Sequence, residues 1–266
     1  MAIIPNIEAA GAFDDAVRGV DGVIHTASPF FFDATDVDTQ LLRPAIQGTL
    51  SLLHSIQENN PKIGRVVITS SFAAVLDLPK AEEAATGGGV MAYVASKTFA
   101  ERAAWDYVKQ NKPGFSITTL LPPMVYGPVA HHVANMKGLN TSSADIYRLI
   151  DGSTDEVPDT SIWAFADVRD VAAAHVLAFE KPEAAGQRYL IATSVYSYQQ
   201  IVDIIRNNFP ELHNVTPKGD TGAPIPAVYQ LDTSRAVKDL GMRFRPLTET
   251  VVDMVKSLQK LQKEKC

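Results

Sequence analysis

Tyr93 and Lys97 are the residues of this sequence whose types and spacing most directly indicate chemistry. They lie four positions apart in an amphipathic segment, Val90 to Asn111, so a helix there would present both side chains on one face. An ordinary tyrosine has a pKa of about 10, too high for efficient acid–base work at neutral pH. Because a nearby ammonium favours the phenolate, we expect Lys97 to lower the pKa of Tyr93. Such a spacing also arises by chance on helix surfaces, so the pair needs support from the remaining chain.

The segments around this predicted helix alternate short apolar runs with longer helical patterns. We predict strands at Ala2–Pro5, Gly22–Ala27, Arg65–Ser71 and Ser116–Leu121, and helices at Ala12–Arg18, Asp36–Asn59 and Val90–Asn111. This alternation is typical of parallel βαβ units with right-handed crossovers and helices on both faces. The predicted fold class is therefore α/β, with a doubly wound parallel sheet.

After Leu121 the alternation becomes less regular, because prolines and glycine at 122, 123, 127 and 128 interrupt it. Alternating strands and helices are predicted again at Ile162–Phe165, Asp170–Glu180, Arg188–Ala192, Tyr198–Asn208, Ser234–Leu240 and Leu247–Lys263. We interpret residues 1–128 as a dinucleotide-binding core that carries the catalytic residues. Residues 129–266 are interpreted as a small α/β substrate-binding lobe, partly interleaved with that core.

Three of the predicted strand ends carry residues suited to a ligand site. They are the segments His25–Pro29, Thr69–Ser71 and Pro122–Pro128. In an open parallel sheet the carboxyl ends of the strands share one rim, where ligands bind. Ser71 at such an end is suited to donate a hydrogen bond to a substrate carbonyl while Tyr93 delivers a proton. The alternative is that Ser70 and Ser71 merely cap the following helix.

Composition excludes several classes of protein. The chain has 266 residues, 46% of them hydrophobic, and a net charge of −6, which is not the basic footprint of a nucleic-acid-binding protein. Its single cysteine, Cys266, offers no disulfide framework, and His131 and His132 lack further ligands at metal spacing, so no metal site is predicted. No apolar run is long enough to span a bilayer, and the start has no signal-peptide pattern. We expect a cytoplasmic protein without nucleic-acid or membrane partners.

Six segments, in order, carry a family resemblance. They are HTASPF (25–30), PAIQGT (44–49), RVVITSSFAAV (65–75), YVASKTFAERAAW (93–105), PPMVYGP (122–128) and ADVRDVAAAH (166–175). The sequence resembles the extended short-chain dehydrogenase/reductases of the NAD-dependent epimerase/dehydratase superfamily. Within it, the segments are most similar to the dihydroflavonol reductase and fungal aldehyde/ketone (methylglyoxal-type) reductase branch.

The resemblance implies a reductase that uses NADP(H), with NAD(H) as the alternative, to convert a small hydrophobic aldehyde or ketone to an alcohol. Tyr93 would protonate the developing alkoxide, Ser71 would hold the carbonyl oxygen, and Lys97 would lower the pKa of Tyr93 and bind the nicotinamide ribose. Further cofactor contacts are implied for Thr26, Ala27, Ser28, Pro122, Met124 and Val125, and a substrate pocket for Phe30, Phe31, Phe72 and Tyr126. The family includes monomers and homodimers, and either remains open here.

The family's pyrophosphate-binding turn, G-x-x-G-x-x-G, is absent from this sequence, whose first glycines are Gly11, Gly19 and Gly22. On the resemblance, the chain corresponds to the family from its third strand onward, and we expect it to lack the first two strands and to bind NADPH weakly or not at all. Gln47 also replaces the usual asparagine of the second segment. Two alternatives therefore stay open: a cofactor-deficient relative that only binds a ligand or partner, and a member of the hydroxysteroid dehydrogenase or epimerase type.

Overall fold

The computed structural model describes residues 2–30, 34–75, 80, 85 and 89–265. Phe31 and most of the Ala81–Gly89 loop lie outside this part. The chain divides into two compact units, the first comprising Met1–Pro122, Ala174–Leu190 and Lys238–Gly241, and the second Pro123–Ala173, Ile191–Val237 and Met242–Cys266. The chain thus returns twice to the first unit, and the units interleave more than a single division at residue 128 implies.

The first unit contains a parallel sheet of four strands in the order β1-β2-β3-β6. Its strands are β1 (Val23–His25), β2 (Arg65–Thr69), β3 (Ser116–Leu121) and β6 (Arg188–Leu190). The parallel α/β fold predicted from the sequence is confirmed. All four strands point the same way, so their carboxyl ends meet at one rim.

Two long helices, α1 (Arg43–Asn59) and α2 (Gly89–Asn111), pack together on one face of this sheet. Alternation along β2 directs Val66 and Ile68 into their shared apolar core, together with Leu53 of α1 and Ala104 of α2. On α4 (Val168–Glu180), the part from Ala174 onward belongs to this unit, and Arg65 donates to the carbonyl of its Ala178 at 2.5 Å. Arg65 thereby ties the start of β2 to the C-terminal end of α4.

Three predictions near the start need correction. Ala2–Pro5 forms no strand, and Ala12–Arg18 forms turns rather than a helix. Only one backbone bond of the α-helical type, from Val17 to Phe13, is found among the described contacts there, which is too little to repay helix nucleation. The predicted helix Asp36–Asn59 begins instead as a π-helix, Asp38–Leu42. Pro44 explains the wider turn, because proline lacks an N–H and its ring clashes with the carbonyl four residues before it.

The second unit has a smaller sheet in the order β4-β5-β7. It is formed by β4 (Met124–Tyr126), β5 (Ala164–Asp167) and β7 (Ser194–Val195), with helices α3 (Thr141–Tyr147), α5 (Tyr198–Asn208) and α7 (Leu247–Lys265). Helix α6 (Ser234–Leu240) begins in this unit, but its residues from Lys238 onward belong to the first. A separate apolar core lies between α5, α7 and the sheet, around Phe165, Ile201 and Val255. Among the described helices none is long and apolar enough to cross a membrane.

Strands β4 and β7 were not predicted. β4 follows Pro122 and Pro123 directly, and its three residues are too few to show an alternating pattern. Gly127 ends it with a φ of 136°, a conformation suited to glycine because a Cβ there would lie 2.7 Å from Val168. Helices α5 and α6 have the bounds predicted for them, and α7 runs two residues further. A capping box formed by Ser197 and Gln200 fixes the start of α5.

Candidate active site

Ser71 and Tyr93 meet at the carboxyl rim of the first sheet. Ser71 follows the end of β2, Tyr93 lies in the second turn of α2, and a hydrogen bond joins their hydroxyl groups. The Ser71 hydroxyl oxygen also accepts a bond from the backbone N–H of Ala73 at 3.1 Å, which opens the short 3-10 turn Phe72–Val75. The Ser71 side chain therefore both caps the following turn and bonds to Tyr93, so the two alternatives posed by the sequence do not exclude each other.

The surroundings of Tyr93 differ from the sequence-based expectation in one respect. Burial raises the pKa of its phenol, and the hydrogen bond to Ser71 offsets part of that rise. Lys97 lies with its ammonium nitrogen 5.9 Å from the centroid of the Tyr93 ring. The net direction is thus upward in this structure, and Lys97 is not among the causes of the shift, so the expected lowering by Lys97 stays a prediction. Phe30 packs edge-on against the ring, with centroids 4.9 Å apart.

Lys97 is a buried cation. It is only 8% exposed, and burial lowers the pKa of its ammonium group to about 8. No hydrogen bond or ion pair of Lys97 is found among the described residues. Its positive charge also acts on His25 at the end of β1, where burial first and Lys97 second lower the pKa of the imidazole to about 4. His25 is therefore neutral at pH 7.

A small cavity next to Lys97 has both apolar and polar side chains in its wall. Its wall includes Ala27, Ser28 and Thr49, which follow β1 or lie on α1. The hydroxyl oxygen of Ser28 is buried, and within the described part of the chain it has no hydrogen-bond partner. A buried hydroxyl and a buried ammonium for which the described residues provide no acceptor fit a ligand rich in hydroxyl groups, such as the ribose of a nicotinamide cofactor. Thr26, beside them, is exposed to solvent.

The other residues predicted for the cofactor and substrate fall into two groups. In the first unit, Phe72 is half-buried, and its N–H donates to the carbonyl of buried Pro122 at 2.9 Å, which ties the segment after β2 to the end of β3. In the second unit, Met124 and Val125 are half-buried on β4. Phe72 and Pro122 thus lie at the rim of the first sheet, whereas Met124 and Val125 belong to the sheet of the second unit.

Tyr126 is fully buried in the core of the second unit, where it does not present a pocket surface. Its hydroxyl donates to Asp145 at 2.8 Å and lies 2.9 Å from the hydroxyl of Tyr196. Asp145 accepts a further bond from Tyr198 at 2.6 Å. Burial raises the pKa of Tyr126 far above its usual value. These contacts favour a structural role over the predicted substrate contact.

Sequence reasoning missed Glu101 and Arg188. Glu101 lies on α2 four residues after Lys97, is only 5% exposed, and accepts a bond from Arg188 of β6 at 2.6 Å. Its hydrogen-bond donors also include Ser70, the neighbour of Ser71, at 2.6 Å. The spacing of four that linked Tyr93 to Lys97 continues to Glu101, and this was the available signal.

Comparisons with known proteins identify the family of this chain. Residues 5–192 match the NAD dependent epimerase/dehydratase family, and the chain belongs to that family. It is 39% identical to a putative NADPH-dependent methylglyoxal reductase of Candida albicans, over 95% of this chain and 81% of that protein. It is also 39% identical to the ketoreductase azaE of Aspergillus niger, over 96% and 81%. Its structure is similar to the crystal structure of yeast methylglyoxal/isovaleraldehyde reductase Gre2 complexed with NADPH. The TM-score is 0.90 and the sequence identity 34%, over 99% of this chain and 84% of that one.

Proposed function

We propose that this protein reduces small hydrophobic aldehydes or ketones to alcohols with NADPH, using Tyr93 as the proton donor. The observation that carries the proposal is the hydrogen bond between Ser71 and Tyr93, with Lys97 buried four residues further along the same helix. Its relatives, named methylglyoxal reductase and ketoreductase, support the aldehyde and ketone substrate class.

Each residue of the site has a defined task in this reaction. NADPH, when bound, would supply a hydride to the carbonyl carbon. As the carbonyl oxygen gains negative charge, the Ser71 hydroxyl would donate a hydrogen bond to it and the Tyr93 hydroxyl would transfer its proton to it. Lys97 would stabilise the resulting tyrosinate, which then regains a proton from solvent. The same ammonium, together with Ser28, would hold ribose hydroxyls of the cofactor.

The aromatic residues around Tyr93 would shape the substrate side of the site. Phe30 is 48% exposed and already packs on the Tyr93 ring, and Phe72 is half-buried beside Ser71. An exposed aromatic next to a buried catalytic hydroxyl suits a substrate with an apolar substituent. Tyr126 is left out of this pocket because its ring and hydroxyl are buried among side chains of the second unit.

The test is NADPH oxidation with methylglyoxal, isovaleraldehyde and a hydrophobic ketone as substrates. We expect turnover by the wild type and a loss of about a hundredfold or more in kcat for Tyr93→Phe, the usual size of a general-acid contribution. Tyr107→Phe is the matched control, because Tyr107 lies on the same helix about four turns away, with its hydroxyl bonded to Gln57 at 2.5 Å. Full activity of Tyr93→Phe would contradict the assigned mechanism.

One observation favours a second candidate, a protein that binds a carbonyl ligand without turning over NADPH. The sequence contains no G-x-x-G-x-x-G turn, and residues 2–22 form turns and irregular structure without a strand. A cofactor held without such a turn would lack charge-assisted contacts to its pyrophosphate and would bind more weakly. Titration of NADPH, followed by fluorescence and by melting temperature, separates the two candidates. Micromolar affinity supports the reductase; aldehyde binding without any response to millimolar NADPH supports the second candidate.

A further inference from the structure

Glu101 is the centre of a buried hydrogen-bond cluster beneath the candidate active site. Its carboxylate accepts bonds from Ser70 at 2.6 Å, from Thr119 of β3 at 2.9 Å and from the Nε of Arg188 at 2.6 Å. A weaker bond comes from the indole N–H of Trp105 at 3.3 Å. A buried carboxylate needs such compensation, and here it is supplied from two strands and from α2 itself.

Arg188 extends the cluster to the other side of Ser71. Besides its bond to Glu101, its Nη2 donates to the carbonyl oxygen of Ala74 at 2.7 Å, in the turn that follows Ser71. Glu101 holds Ser70, the residue before Ser71. The Glu101–Arg188 pair therefore fixes the chain on both sides of Ser71, because Glu101 bonds the residue before it and Arg188 bonds the residue three positions after it.

The same pair also connects Ser71 with the helix that carries Tyr93. Tyr93, Lys97 and Glu101 follow one another at intervals of four on α2, so they lie on one helical face. A shift of the segment 70–74 relative to α2 requires the bonds of Glu101 to break. The distance between Ser71 and Tyr93 is consequently constrained by the hydrogen bonds of Glu101 and Arg188, in which neither Ser71 nor Tyr93 takes part.

We propose that Glu101 and Arg188 are positioning residues, which hold the Ser71 hydroxyl at hydrogen-bonding distance from Tyr93. This inference rests on the proposed function for its consequence in catalysis, but the geometry that it asserts exists without cofactor. A misplacement of about 1 Å at a reacting group costs about a hundredfold in rate, so a modest shift of the segment has a large effect.

The first test compares the kinetics of Glu101→Gln and Arg188→Met with those of the wild type. Both variants are expected to lower kcat about tenfold or more while the KM for the carbonyl substrate stays within about twofold, because a displaced Ser71 affects proton transfer more than binding. Arg65→Met is the matched control. Like Arg188, Arg65 begins a strand of this sheet and donates to a side chain and to backbone carbonyl oxygen. Its partners are the Ser116 hydroxyl and the carbonyls of Ala178 and Lys181, at the end of β2 away from Ser71.

The second test needs no cofactor. Ultraviolet titration of tyrosinate in each variant, minus the same titration in its Tyr93→Phe counterpart, gives the pKa of Tyr93. We expect Glu101→Gln to raise that pKa, as Ser71→Ala should, because the hydrogen bond from Ser71 that lowers it is lost. Removal of a negative charge by itself would lower the pKa, so a rise identifies the displacement of Ser71. Arg65→Met should leave the pKa unchanged.

The outcomes separate the two proposals. A kcat for folded Glu101→Gln within about twofold of the wild type, or a pKa of Tyr93 that stays constant or falls, overturns the positioning role. An equal loss of kcat in Arg65→Met would do the same, since it would indicate a general effect of destabilisation. If instead Tyr93→Phe retains full activity, the assigned mechanism fails, while the titration still decides whether Glu101 positions Ser71.

Discussion

The burial of Lys97 predicts that its removal stabilises the protein. Lys97→Met keeps an unbranched side chain of similar length and removes only the buried charge. In the wild type, burial lowers the pKa of Lys97 from 10.5 to about 8, so the protonated form is disfavoured in the folded state. Functional groups held in such surroundings are a common source of a trade-off between stability and activity.

The magnitude follows from proton linkage. Between pH 8 and 10.5 the unfolded chain holds more protons at this residue than the folded protein, so stability rises with pH in that window. Below pH 8 both states are protonated, and the folded protein bears the full cost, about 3 kcal/mol at about 1.4 kcal/mol per unit of pKa. Lys97→Met should therefore be more stable than the wild type by about 3 kcal/mol at pH 7, and by only about 1 kcal/mol at pH 10.

Urea denaturation of both proteins at the two pH values measures this difference, and subtraction cancels the titration of all other groups. Lys109→Met is the control, because Lys109 is exposed on the same helix and its replacement should change stability by less than about 0.5 kcal/mol. A stabilisation of equal size at pH 7 and pH 10 would refute the reasoning, since it would reflect better apolar packing rather than a removed charge. A destabilised Lys97→Met would refute it outright.

Two further changes test other parts of the structure. The pKa of His25 is lowered from 6.5 to about 4, so between these pH values the unfolded state binds more protons than the folded state, and stability falls with pH. Between pH 7 and pH 4 the His25→Gln variant should therefore lose about 3 kcal/mol less stability than the wild type, measured by denaturation at each pH. Tyr126→Phe deletes a buried hydroxyl bonded to Asp145 and Tyr196, so it should lower the free energy of unfolding by about 1–2 kcal/mol without altering the substrate KM. A shifted KM at unchanged stability would restore the pocket role that the sequence suggested.

The sequence predicted those parts of the structure that depend on local periodicity. The long helix that carries Tyr93 and Lys97, the β-branched strand Arg65–Thr69 and helix Tyr198–Asn208 all show their pattern over consecutive residues. The N-terminal errors have the same origin, because the short segment Ala12–Arg18 has helical spacing but too few residues to sustain a helix. Short strands such as Met124–Tyr126 give no such pattern at all.

Contacts between distant residues could not be predicted in this way. Glu101 and Arg188 are 87 positions apart and meet only because β3 and β6 pair side by side. Likewise Tyr126 and Tyr196, 70 positions apart, become hydrogen-bond partners in the core of the second unit, which is why a tyrosine placed in the pocket by its motif lies buried instead. The motif indicated which residue types were present but not which neighbours the fold would give them.

On the face of α2 that bears Tyr93, Lys97 and Glu101, two buried charges have different surroundings. The carboxylate of Glu101 is bonded by donors from β3, β6 and the end of β2, whereas the ammonium of Lys97, one helical turn away and equally buried, has no acceptor in the described part of the chain. Burying a charge without an acceptor costs stability, so a fold selected for stability alone would pair both or replace Lys97. Among the described residues the Lys97 cation and the Ser28 hydroxyl beside it have no hydrogen-bond partner, which supports the proposal of a ligand that accepts hydrogen bonds from both. The paired Glu101 supports the proposed role of holding Ser71 in place for that ligand's chemistry.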